Sequence, residues 1–189
     1  MFRGKYVVVA IFVILAVFLV VSFPMNEWFS ETMSRHQLLQ LPVMIVLGAA
    51  SALTLNCKTV NVVSWGIAIL IFIAASVVFW MLPRSIDLAV IHPLFNRVMH
   101  FNMMLVGFLL APVLRGMVFE IRILFIGMMS VMLLATGFAL KTFDVLLCSS
   151  FTIQQQHETG FYLILVGFSL FVITVVIFFK GLNPGNIAA

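Results

Sequence analysis

The sequence predicts an all-α integral membrane protein, a bundle of about six transmembrane helices forming one domain over residues 1–189, and three observations lead there. Hydrophobic residues make up 64% of the chain and charged residues only 8%, against about 45–50% and about 25% in a soluble domain. Mean hydropathy is +1.26. No water-soluble core could hide that much apolar surface at this length, so lipid has to be the solvent. The third observation is rhythm: apolar runs of bilayer length recur between short polar breaks. A hydrocarbon core about 30 Å thick takes roughly 20 residues at about 1.5 Å each.

That ruler places spans at Tyr6–Phe23, Gln37–Leu55, Val60–Leu82, Val98–Leu114, Ile121–Leu140 and Gly160–Phe179. The first follows MFRGK. It is longer than the apolar stretch of about 7–15 residues in a signal peptide and no A-x-A-like cleavage site follows, so it counts as a span. Pro42 and Pro112 should kink the second and fourth spans, which neighbouring helices tolerate. Small residues such as Gly48, Ala49, Gly107, Gly137 and Gly167 let helices approach closely. Between spans three and four, PRSIDLAVIHPLFNR (Pro83 to Arg97) is partly apolar and should lie along the membrane surface as a short helix or re-entrant piece. TFDVLLCSSFTIQQQHETG (Thr142 to Gly160) has the same character, and the two loops are expected to cap the outer side.

Orientation follows from the loops. With the N-terminus inside, Arg3, Lys5, Lys58, Arg115, Arg122 and Lys180 face the cytoplasm beside one acid, Glu120. Arg35, Arg84, Arg97 and Lys141 lie outside with Glu27, Glu31, Asp87, Asp144 and Glu158. Basic residues favour the inside, so both termini are expected in the cytoplasm of a multi-pass cell-membrane protein. The net charge of +4 contains no dense basic stretch, which argues for topology and against nucleic acid as a partner.

Chemistry concentrates in the histidines, of which there are four. In this topology all four fall at the outer interface. His36 opens the second span, His100 the fourth, His157 precedes the sixth, and His92 lies in the loop before the fourth. Helices that start on one side of the membrane place their first residues at one depth, so neighbouring spans would bring these rings together. Met33 lies three residues before His36, and Met103 and Met104 lie three and four after His100, spacings that share a helical face. Imidazole with thioether suits copper, because soft sulfur selects Cu(I) and imidazole accepts either copper state. The candidate metal ligands are therefore His36, His100, His157, Met33 and Met103. Asn102, Gln37, Gln156, Glu158 and Asp144 are candidates to orient the rings. Against this stands an ordinary role for each residue: histidine as an amphipathic side chain at headgroup depth, methionine as packing in a chain that has 12 of them.

Other chemistries lack their residues. Two cysteines, Cys57 and Cys148, are too few for a disulfide framework, and Cys148 is a lesser copper candidate. No HExxH, CxxC or Gly-rich phosphate loop occurs, and no charged residue lies deep in a span, which disfavours a proton-coupled transporter or channel.

Three stretches carry a family resemblance. MSRHQLLQLP (Met33 to Pro42), VMHFNMMLVGFLLAP (Val98 to Pro112) and QQQHETGFYLI (Gln154 to Ile164) resemble motifs of the CtaG family of cytochrome c oxidase assembly factors. Asn96 stands where that family usually has a histidine, glutamines replace an aspartate in the late motif, and the chain has six spans where the family commonly has seven. The resemblance implies a distant, shortened relative with a role in maturing or stabilising a copper enzyme.

Three functions are therefore carried forward. The first is a non-enzymatic protein that handles copper at the outer face and assists assembly of a copper-containing respiratory or oxidase complex. The second is a structural accessory subunit of a membrane oxidase or copper monooxygenase, surrounded by lipid and other membrane subunits. The third is an electron-transfer protein holding haem b between two histidines.

Overall fold

The computed structural model describes residues 2–60 and 65–181. Positions 61–64 of the expected third span, and the side chain of Arg3 used in the charge argument, lie outside the described residues. Nine α-helices are described: α1 (Phe2–Ser22), α2 (Asn26–Ser30), α3 (Met33–Arg35), α4 (Leu41–Thr54), α5 (Ile67–Met81), α6 (Pro83–Ile91), α7 (Pro93–Gly116), α8 (Phe119–Thr142) and α9 (Ile153–Gly181). A wide π-helical turn, His36–Gln40, joins α3 to α4. No strand occurs among the described residues. Among the described residues five helical runs are long and apolar enough to cross a bilayer, namely α1, the continuous run Met33–Thr54 through the π turn, α7, α8 and α9, and a sixth crossing results if α5 and α6, bent by 70°, count together.

The core is two helix pairs. In the first, α4 and α7 run parallel with their backbones in contact. A Cβ placed on Gly48 would meet the Met104 carbonyl oxygen at 1.8 Å, and one on Gly107 the Ile45 carbonyl oxygen at 1.9 Å. Only hydrogen fits at either position. In the second pair, α8 and α9 run antiparallel around Gly137 and Gly160, where an added Cβ would lie 2.8 Å and 2.7 Å from the other residue's carbonyl oxygen. These are the small-residue contacts expected where lipid gives helices no hydrophobic reason to associate. Helix α1 stands at the edge against α4, burying little more than Ile14, Val21 and Ser22.

Helix ends explain the differences from the expected boundaries. Asn56 takes a left-handed φ of 52°, and bonds from Cys57 N–H to Ala52 and Asn56 N–H to Leu53 close α4 in a Schellman turn. Pro93 occupies the first turn of α7, where its missing N–H costs nothing, so the helix starts five residues before the apolar run. It then continues through Pro112 as one helix, and the Pro112 carbonyl, at its far end, accepts from Val60 N–H at 3.4 Å. Likewise α9 begins at Ile153, which places His157 inside the helix.

The two partly apolar loops do fold together over one end of the bundle, called here the histidine end. Ile86 of α6 packs with Cys148 and Phe151 of the later loop, and with Met33, Leu140 and Leu163. The Asp87 carboxylate clasps them: it accepts from Ser149 N–H at 2.8 Å, Ser149 Oγ at 3.0 Å and Ser150 N–H at 2.9 Å.

Candidate functional site

The site is assembled where α4 begins. Thr32 is extended, and its hydroxyl oxygen accepts from Arg35 N–H at 3.4 Å, capping the entry. The chain then widens into the π turn, with Leu41 N–H bonded back to the His36 carbonyl. Pro42 accounts for the widening. It has no N–H to offer the Leu38 carbonyl, and its ring would crowd that oxygen in a regular helix. Turns of this kind recur at functional sites, and this one buries His36, Gln37 and Gln40 together.

Gln40 decides the state of His36. Its Nε2 sits near two acceptors, Asn26 Oδ1 at 3.1 Å and the Val21 carbonyl at 3.5 Å. Its Oε1 therefore faces His36 Nδ1, 2.6 Å away. A carboxamide oxygen can only accept, so Nδ1 carries the proton and Nε2 keeps a lone pair. That Nε2 is buried and has no protein partner. Asn26 Oδ1 also accepts from Asn96 Nδ2 at 2.6 Å, which links α7 to the same network one turn before His100.

His100 is wholly buried, as is His36, and neither of its ring nitrogens has a protein partner. Both histidines stand at the histidine end of the packed α4–α7 pair, on elements joined through the Gln40–Asn26–Asn96 bonds. Buried polar groups are ordinarily bonded, so three bare nitrogens on two buried rings are a marked exception. Met33, Met99 and Met103 are fully or almost fully buried. Met33 belongs to the cluster beneath the loops, while Met99 and Met103 belong to the main core between α4, α5 and α7.

The other expected residues are placed differently. His157 shares the histidine end but is half-buried, with Nε2 3.4 Å from Asp144 Oδ1; neither His36 nor His100 is its partner. His92 is exposed at the junction of α6 and α7. Asn102 accepts from Trp80 Nε1–H at 2.8 Å, and Gln156 Oε1 accepts from Leu147 N–H at 3.1 Å. Glu158 is exposed. Gln37 is buried with neither amide atom bonded. Among the described residues no group of three or more His, Cys, Asp or Glu side chains stands together to hold a metal. Cys148 lies under the loops with Sγ 3.8 Å from the Pro83 carbonyl. Burial, and then the nearby Asp87 carboxylate, push its thiol up to about 12, which keeps it protonated and a poor ligand.

Gln40, Asn26 and Asn96 are the residues bonded around the candidate site that sequence reasoning missed. A signal for two of them existed: Gln40 follows His36 by four residues and Asn96 precedes His100 by four, so each shares its histidine's helical face.

Comparison of the chain with protein-family models, with curated proteins and with solved structures finds no match.

Proposed function

We propose that this chain is a multi-pass protein of the cell membrane that handles copper at the outer face, His36 and His100 holding the ion, and that it assists assembly or stability of a copper-containing oxidase complex. One observation carries the reading: a buried imidazole whose Nδ1 is anchored by Gln40, leaving its Nε2 lone pair without a protein partner, and, at the same end of the packed α4–α7 pair, a second buried imidazole with no protein bonds at all. Metal-ligating histidines are typically held in this way through the ring nitrogen that does not bind the metal. Neutral imidazoles and thioethers supply no compensating negative charge. That donor set favours the monovalent, soft copper ion over harder divalent cations. In this reading the chain's work is to bind and release the ion. The distribution of charge in the loops supports an outward histidine end and cytoplasmic termini, and the resemblance to CtaG proteins supports the oxidase as client.

Metal analysis of the purified protein tests this. About one copper per chain is expected in the wild type and none in the His36→Ala/His100→Ala double variant. Copper at background in both would end the proposal. The haem b alternative finds less support, because neither histidine lines the apolar cavity of about 800 Å³ that lies between the α4–α7 and α8–α9 pairs; a Soret band in the purified protein would revive it. The accessory-subunit reading is compatible with the exposed, edge-standing α1, and copurifying subunits in fixed stoichiometry would favour it.

A further inference from the structure

The end of the bundle opposite the histidines is built around one tight backbone contact. After α4, the Val60 N–H bonds to the Pro112 carbonyl at 3.4 Å, and a Cβ on Gly116 would run into the Val60 carbonyl oxygen. Val60 therefore lies against the last turn of α7, which brings the backbone that carries Lys58 to the backbone that carries Arg115. The chain then turns through Met117 and Val118 into α8, where Arg122 reaches back: its Nη2 donates to the Met117 carbonyl at 3.1 Å. Cations from the end of α4, the end of α7 and the start of α8 are thus gathered on one turn.

These charges lack acidic partners. Among the described residues none of Lys58, Arg115 and Arg122 forms an ion pair, and the two pairs present, Arg35 with Glu31 and His157 with Asp144, stand at the histidine end. Arg115 Nε donates to the Ala111 carbonyl of its own helix at 3.4 Å, and Lys58 and Arg115 are exposed. The nearby acid, Glu120, sits in the first turn of α8, where it meets the positive end of that helix. Apolar side chains flank the cations: Leu55, Val118 and Leu124 are all exposed. Positive charge at the rim of exposed hydrocarbon fits an amphiphile, an anion joined to an apolar chain.

We propose that this turn is a docking site for an anionic phospholipid, its phosphate meeting Lys58, Arg115 and Arg122 and its acyl chains lying on Leu55, Val118 and Leu124. Guanidinium N–H groups match phosphate oxygens in pairs, and each basic residue near a membrane surface adds to the attraction for anionic lipid. A zwitterionic lipid carries its own ammonium, which competes with the three cations for the phosphate. A free phosphate would gain nothing from the exposed leucines and valine. The site lies at the far end of the bundle from His36 and His100 and does not depend on copper.

The full chain in nanodiscs of equimolar phosphatidylglycerol and phosphatidylcholine with matched acyl chains tests the assignment, native mass spectrometry counting the lipids that stay bound on release. The wild type should retain the anionic lipid over the zwitterionic one by about fivefold or more. Lys58→Gln/Arg115→Gln/Arg122→Gln should bring the two lipids to parity. Lys58→Gln/Arg115→Gln keeps the bond from Arg122 to Met117 and should still lose most of the preference, which serves if the triple variant fails to fold by helical circular dichroism. Arg84→Gln/Arg97→Gln, which removes as many charges from the histidine end, should match the wild type. Equal retention of both lipids by the wild type, or a preference that survives loss of the cations or falls as far in the histidine-end control, would overturn the proposal. So would displacement of the lipid by inorganic phosphate at constant ionic strength, which would assign the turn to a free anion.

Discussion

The α4–α7 and α8–α9 pairs use the same packing device and differ in what they do with polar groups. Both bring backbones together at glycines, through Gly48 and Gly107 in one case and Gly137 and Gly160 in the other. In α8–α9 the buried hydroxyls bond to their own helix: Ser130 to the Gly127 carbonyl, Thr159 to Gln155 and Thr174 to Leu170. In α4–α7 the buried polar groups are connected between elements and end on imidazole nitrogens with no partner. Close packing alone therefore does not mark a site. What distinguishes the α4–α7 seam is that its unpartnered atoms include the ring nitrogens of two fully buried histidines, whereas in α9 the amide nitrogen of Gln156 is an unpartnered buried atom.

The comparison can be broken first at the glycines. Gly48→Ala should cost about 3 kcal/mol, because the new methyl meets backbone that cannot move aside, and should reduce copper binding with it. Gly127→Ala is the control on α8: its Cβ would meet only a Thr174 methyl at 3.8 Å, so stability should hold or rise by up to about 1 kcal/mol. Thermal unfolding in detergent measures both, and equal losses would sink the close-contact reading of Gly48. A smaller effect is expected at Gln40. Gln40→Leu should weaken copper binding about 10–100-fold by freeing the His36 ring, whereas Thr159→Val should leave it unchanged. Competition titration against a copper chelator decides between them, and matching affinities would refute the anchoring role.

The loop clasp gives a smaller change still. Asp87→Asn loses part of a three-bond acceptor and should cost about 1 kcal/mol, read as faster proteolysis between Val145 and Phe151; an unchanged rate would mean the clasp holds nothing. Smallest at neutral pH is the effect of Cys148 chemistry, because neither folded nor unfolded thiol is much ionised there. With its thiol raised from 9.0 to about 12, folded protein at pH 8 should show maleimide labelling at Cys57 and none at Cys148 until it unfolds. The sign for stability follows: this contribution is intact below about pH 9 and declines as pH rises toward 12, because the unfolded thiol ionises first. Rapid labelling of folded Cys148 at pH 8 would contradict that burial.

Much of the architecture was legible because the bilayer imposes a length and a composition that hydropathy reads directly. The starts of α7 and α9 were read late, since their first turns mix polar and apolar residues that a span ruler discards. Half of the candidate site was also legible: equivalent positions at the starts of two spans gave His36 and His100. Gln40 was within reach of the four-residue spacing, whereas the π turn that buries Gln37 with it was not, because spacing rules assume a regular helix. Nor could the sequence alone reveal that Asn26 and Asn96 meet, 70 residues apart in the chain.

The five-residue turn at His36–Gln40 makes the approach to α4 sensitive to chain length in a way its neighbours are not. Each residue of a regular helix advances the azimuth by about 100°, so losing a single position here would rotate His36 and everything before it away from the α7 seam. The exposed Leu39 could change identity freely, yet its presence as a spacer sets which side of the rod the imidazole occupies.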